Sequence, residues 1–243
     1  IKIILSVENM ASKPEGNTPE DEEIKVELLP EDYAQYDLSF KIIVIGDSGV
    51  GKSCLTTKAV KNNFEEYYQA TVGFEFLTFN MKINEYVIKL QIWDTCGQEI
   101  YKSLISNFYR NSSLAIILYA IDNRESFEHA EIWLNDLKSQ ANPDVRIFLV
   151  GNKSDLEEER KVSKEEGIRY KNEQGLDMFM ETSAKTGYNA RNVLIEAAKM
   201  LYSDYLKYLE ANPNGEVKPP GQQKKGQELK GDKAKGEKKK GCC

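Results

Sequence analysis

One stretch of this chain has residue types and spacing suited to holding a phosphate: Gly46-Asp47-Ser48-Gly49-Val50-Gly51-Lys52-Ser53. It satisfies the pattern G-x-x-x-x-G-K-[ST]. The glycines let the backbone curl so that several N–H groups converge on one anion. Lys52 adds a charge that reaches the β- and γ-phosphates, and Ser53 offers a hydroxyl to Mg²⁺. The apolar run at 41–45 precedes the pattern and a helix-forming stretch follows it. The helix would turn its positive end toward the anion. The residues from Ser48 through Cys54 are therefore candidate nucleotide contacts. A ligand-free glycine-rich turn is the bland alternative, and Cys54 also reads as a small buried residue.

Four further segments fall at predicted strand ends. In Trp93-Asp94-Thr95-Cys96-Gly97-Gln98-Glu99, a carboxylate can hold Mg²⁺ through its water, a glycine N–H can meet the γ-phosphate, and a glutamine can orient an attacking water. In Asn152-Lys153-Ser154-Asp155, an aspartate can accept two N–H bonds from guanine; adenine lacks that donor pair and would leave the carboxylate unmatched. Ser183-Ala184-Lys185 can close over the base. Between 64 and 71, Phe64 could pack on the purine, Tyr68 could cover the phosphates, and Thr71 could reach Mg²⁺ and the γ-phosphate. A phenylalanine used only in the core and a threonine used only as a cap are equal alternatives for that last segment.

These residues need a scaffold, and the pattern supplies one. From about 40 to 210, apolar runs at 40–45, 74–83, 86–93, 114–121, 146–151 and 178–181 alternate with amphipathic stretches at 52–62, 125–139, 163–172 and 189–209. Asn84-Glu85 predicts a tight hairpin between the second and third strands. The run at 114–120 is apolar on both faces, as in a sheet covered by helices on each side. The expected fold is α/β, with a six-stranded, mostly parallel sheet, one antiparallel strand and helices on both faces. Ligands of such sheets sit at the carboxyl ends of the strands.

Three regions follow from composition. Residues 1–38 read as an acidic, flexible extension, 39–210 as the folded domain, and 211–243 as a disordered lysine-rich tail. Residues 1–39 carry three Lys against ten Asp/Glu, whereas 212–243 carry nine Lys against four. Met10-Ala11-Ser12 reads as a natural start, with 1–9 foreign to it. A net charge of −6 without a basic core argues against nucleic acid as the main partner. No apolar run approaches the roughly 20 residues of a membrane span, and no signal peptide is visible. Four cysteines without disulfide or zinc spacing point to the cytosol.

Taken together, GDSGVGKS, Thr71, WDTCGQE, NKSD and ETSAKT resemble, in order and spacing, the motifs of a Ras-superfamily small GTPase. The run 72–76, the run KLQIWDT at 89–95, Phe108-Tyr109-Arg110 and the terminal Cys242-Cys243 resemble the Rab type. The likeness covers roughly 40–209 and the last two residues. It implies a P-loop NTPase G domain that binds GTP and GDP with Mg²⁺. By it, Ser53 and Thr71 hold the metal, with Asp94 acting through water. Gln98 positions the hydrolytic water, and Asn152, Lys153, Asp155 and Ser183 to Lys185 read guanine. It also implies that Phe76, Trp93 and Phe108 contribute to effector recognition, although all three could serve only as core. Effectors, exchange factors and activating proteins are the implied partners, together with a GDP-dissociation inhibitor and prenylation machinery. Lipidation of Cys242 and Cys243 would anchor the protein to the cytoplasmic face of internal membranes of the Golgi or endosomal system, in exchange with the cytosol.

The chain departs from the pattern at several places. Cys96 stands where alanine is usual, Asn111-Ser112 where Gly-Ala is common, and Phe108 where tyrosine is common. The extension before residue 40 is longer than usual. No residue is an obvious internal arginine finger, so hydrolysis would be slow without a partner. In Ras itself such a partner raises the rate about 10⁵-fold. Two other classes remain open at this level: a GTP-dependent scaffold that barely turns over, against which Gln98 argues, and an ATP-using P-loop enzyme, against which NKSD argues. His129, the only histidine, and Trp133 read as helix-face residues without a chemical role.

Overall fold

A computed structural model describes residues 24–64, 73–95 and 108–213. Its centre is a sheet of seven strands in the order β1-β3-β4-β2-β5-β6-β7. They are β1 (Val26–Leu28), β2 (Leu38–Gly46), β3 (Phe74–Ile83), β4 (Tyr86–Thr95), β5 (Leu114–Ala120), β6 (Arg146–Asn152) and β7 (Met178–Glu181). The helices are α1 (Lys52–Lys61), α2 (Arg124–Glu128), α3 (Ala130–Gln140), α4 (Lys164–Glu173) and α5 (Ala190–Ala211).

Strand β2 pairs in parallel with β4 and β5, which continues in parallel to β6 and β7. Only β3 runs against the others, joined to β4 by the two-residue turn Asn84-Glu85, where Asn84 takes φ 50°. Side-chain alternation divides the interior in two. On one face Phe40, Ile42 and Val44 of β2 meet Leu55 of α1 and Val193, Leu194 and Ala197 of α5. On the other, Ile43 and Ile45 meet Phe127, Trp133, Leu134 and Leu137 of α2 and α3. Both β2 and β5 are buried along their whole length, which is why their sequences are apolar at consecutive positions.

Three expectations are corrected. The sheet has seven strands rather than six, because β1 arises inside the stretch read as a flexible extension. It pairs antiparallel with β3, with Val26 opposite Ile83 and Leu28 opposite Met81. Its connection to β2 is held by side chains that a composition argument does not count. Asn80 Nδ2 donates to the carbonyls of Pro30 and Glu31, both at 2.9 Å, and Lys89 Nζ lies 4.7 Å from the centroid of the Tyr36 ring. The amphipathic stretch at 125–139 forms two helices meeting at His129, although its backbone keeps helical angles (φ −70°, ψ −14°). The acidic run Glu157–Glu159 forms a 3₁₀ turn, stapled by Arg160 to Glu157 and to Glu181. Helix α4 starts one residue later than expected, because Ser163 is its cap and forms a reciprocal capping box with Glu166. Among the described residues no helix is long and apolar enough to cross a membrane.

Candidate nucleotide-binding site

The loop from Gly46 to Ser53 leaves the buried end of β2 and enters α1 at Lys52. Three of its residues, Gly46, Gly49 and Gly51, have positive φ. Two of these positions also forbid a side chain by space. A Cβ on Gly46 would stand 2.2 Å from the Leu118 carbonyl oxygen of β5, and one on Gly51 would stand 2.5 Å from Asn152 Nδ2. At Gly49 nothing among the described residues lies within 4 Å of such a Cβ. Ser48 and Gly49 are exposed, whereas Val50, Lys52 and Ser53 are buried. The N-terminus of α1 carries no acidic side chain, so its positive end is uncompensated by the helix itself.

The buried Lys52 ammonium donates to the carbonyl oxygens of Gly46 (2.9 Å) and Asp47 (2.8 Å). Ser53 Oγ donates to Asp94 Oδ2, while Asp94 Oδ1 is buried and has no hydrogen-bond partner among the described residues. Burial pushes the Asp94 carboxyl up from 3.8 to about 6. The Ser53 bond and the Lys52 charge oppose the rise, and Glu75 adds to it. A serine hydroxyl beside a buried carboxylate is the hard-oxygen donor set that Mg²⁺ selects. Ser53 and Asp94 therefore fit the metal.

Across the sheet, the loops after β6 and β7 are locked to each other and to the phosphate loop. Asn152 Nδ2 donates to the carbonyls of Val50 (2.9 Å) and Gly51 (3.5 Å), and its Oδ1 accepts from Thr182 Oγ1 (3.1 Å). Asn152 is 1% exposed. It is thus a brace between the phosphate loop and the strand ends, with its amide already engaged by the protein. Ser183 Oγ donates to Asp155 Oδ1 at 2.5 Å, and the Ser154 N–H donates to the Thr182 carbonyl at 3.0 Å. This holds the exposed Asp155 at the mouth of the site, with Ala184 buried beneath and Lys185 exposed beside it. Lys153 takes φ 63° and lies 3.4 Å from Asp122 of the loop after β5. The geometry thus brings a glycine-rich loop, a buried hydroxyl–carboxylate pair and the exposed Asp155 carboxylate to the same end of one sheet.

Cys54 is a half-buried cysteine on α1, and Phe64 is half-buried; both pack against the core shared by α1 and α5. The expected contacts Tyr68, Thr71, Gly97 and Gln98, with Cys96, lie outside the described residues, as do Cys242 and Cys243.

The aromatic residues form a second feature beside the site. Phe76 opposes Trp93 across the β3–β4 pair, with ring centroids 5.2 Å apart, and Trp93 lies 5.1 Å from Phe108. The sequence reading missed a fourth ring, Phe74, at 4.7 Å from Phe108 and 5.3 Å from Trp93. The signal was present, since Phe74 and Phe76 are two apart on one strand and so share a face. Both are 45–46% exposed. Lys41 lies under this cluster, 5.3 Å from the Trp93 centroid, with its ammonium donating to the Arg110 carbonyl at 3.1 Å. Burial lowers its pKa. His129 and Trp133 were also missed; both reach the carboxylate of Asp47.

Among protein families, residues 41–203 match the model described as the Ras family.

Proposed function

The chain belongs to the Ras family, and from that premise we propose that it is a Rab-type GTPase switch that recruits effectors to internal membranes during vesicle traffic. The observation that carries the switch reading is the junction of phosphate loop and base-facing loops through Asn152, which links the two halves of a guanine-nucleotide site. In this reading, Asp155 accepts from the guanine ring, Ser183 holds that carboxylate in place, and Ala184 and Lys185 close over the base. The backbone of 48–53 and Lys52 bind the phosphates. Lys52 now caps the carbonyls of Gly46 and Asp47, so it exchanges those bonds for phosphate oxygens when nucleotide enters. Ser53 and Thr71 would hold Mg²⁺ directly and Asp94 through water. Bound Mg²⁺ neutralises charge on the β- and γ-phosphates. Gln98 aligns the hydrolytic water, and Gly97 offers its N–H to the γ-phosphate. Loss of that phosphate then releases the segments around Thr71 and Gly97, which is the switching event.

The Rab assignment is supported by the aromatic cluster of Phe74, Phe76, Trp93 and Phe108 and by the terminal Cys242-Cys243. The cluster would offer a partner an apolar surface. The two cysteines are proposed to carry prenyl groups. Two chains hold a membrane firmly where one does so only marginally.

The deciding experiment is single-turnover hydrolysis by the full chain loaded with GTP, alone and with an activating protein, compared with Gln98→Leu. A slow parental rate that the partner accelerates, and a variant that keeps nucleotide but loses hydrolysis, is the expected result. Displacement of bound fluorescent GDP by ATP as readily as by GTP would refute the guanine site.

A further inference from the structure

Asp47 poses an electrostatic problem. It is an acidic residue in a loop that the reading above assigns to polyphosphate, and a carboxylate near that anion is repelled by it. The structure turns this carboxylate onto α3. Trp133 Nε1 donates to Asp47 Oδ1 at 2.7 Å, and His129 Nδ1 lies 2.7 Å from Oδ2. An ionised carboxylate only accepts, so Nδ1 carries the proton and donates. Hydrogen bonds of this length to a charged acceptor are among the stronger ones. The two donors stand four residues apart, on one face of the helix. Asp47's own carbonyl accepts from Lys52 Nζ, so a single residue joins the loop's cation to α3.

We infer that His129 and Trp133 clamp the Asp47 carboxylate away from the bound phosphates and thereby set how tightly the loop retains nucleotide. They act as positioning residues through Asp47. When either donor is lost, the carboxylate keeps only one bond to α3 and is freer to swing toward the phosphates. This inference rests on the guanine-nucleotide reading of the same site.

The test is the release rate of a fluorescent GDP from the full chain in excess unlabelled GDP. His129→Leu and Trp133→Phe are each expected to speed release by about tenfold, the scale set by one lost hydrogen bond to a charged group. Two readouts separate the clamp from packing. His129→Asn places an amide donor near the Nδ1 position and should keep the parental rate. Adding Asp47→Asn to either loosened variant removes the repelled charge and should restore most of the lost retention. Trp133 is 3% exposed and lies in the second core, so thermal melts accompany its variant. His129, with its side chain 36% exposed, carries the test if the tryptophan variant does not fold. Unchanged release in His129→Leu overturns the inference while leaving the switch reading intact. So does faster release that Asp47→Asn fails to rescue, which would mean packing alone. A parent protein that holds no guanine nucleotide overturns both.

Discussion

Asp94→Asn should make the nucleotide- and metal-free protein more stable, by an amount that grows with pH. Asp94 is fully buried at the end of β4, and burial pushes its carboxyl up to about 6 from 3.8. In the unfolded chain the group keeps its ordinary value. Between those two values the folded state binds more protons than the unfolded one, so stability falls as pH rises through the window. A difference of about two units is worth about 3 kcal/mol once the carboxyl is ionised. The asparagine keeps the shape and removes the ionisation. Its advantage over the parent should be about 3 kcal/mol at pH 7.5 and about 1 kcal/mol at pH 4.5, where the parental carboxyl is largely protonated in the fold. Urea unfolding in EDTA, with nucleotide stripped, measures both values. With Mg²⁺ and nucleotide added the order should reverse, because only the parent offers the metal a charged partner and ligand binding stabilises the folded state. A constant difference between the two pH values, or a less stable variant at pH 7.5, would refute the reasoning. The site would then hold its carboxylate without the desolvation penalty that its burial implies.

Asp155→Asn should weaken GDP and GTP binding by two or more orders of magnitude, because one acceptor becomes a donor facing guanine's N–H groups; an unchanged fluorescent-nucleotide titration would remove Asp155 from the site. Gly51→Ala places a methyl 2.5 Å from Asn152 Nδ2 at φ 91°, so it should both destabilise the protein and speed GDP release. A variant with parental melting temperature and release rate would show that the loop relaxes around the Asn152 brace. Replacing both Cys242 and Cys243 by Ser should leave GTP binding intact and move the protein wholly to the soluble fraction. Continued pelleting with membranes would place the anchor elsewhere.

Local sequence pattern was enough to place the scaffold and the glycine-rich loop between β2 and α1. Period-two and period-3.6 patterns are local, and they marked β3 and β7 at their observed limits because each strand or helix must bury one face wherever it packs. The phosphate loop was legible because its glycines answer a local demand for positive φ. What the tertiary structure decided were relationships between residues far apart in the chain. Strand β1 forms because β3 offers an edge and Asn80 ties the returning connection, and an acidic composition does not reveal that partner. The amide of Asn152 braces the phosphate loop about a hundred residues away, a contact that its motif does not reveal. Phe74 joins the aromatic cluster only because β3 pairs with β4 in this register, and His129 and Trp133 meet Asp47 only because α3 packs beside β2. Hydrogen bonds and ring contacts are short-ranged, so a side chain's role depends on what the fold sets within a few ångströms of it. Residue type and local pattern constrain that choice without naming the partner.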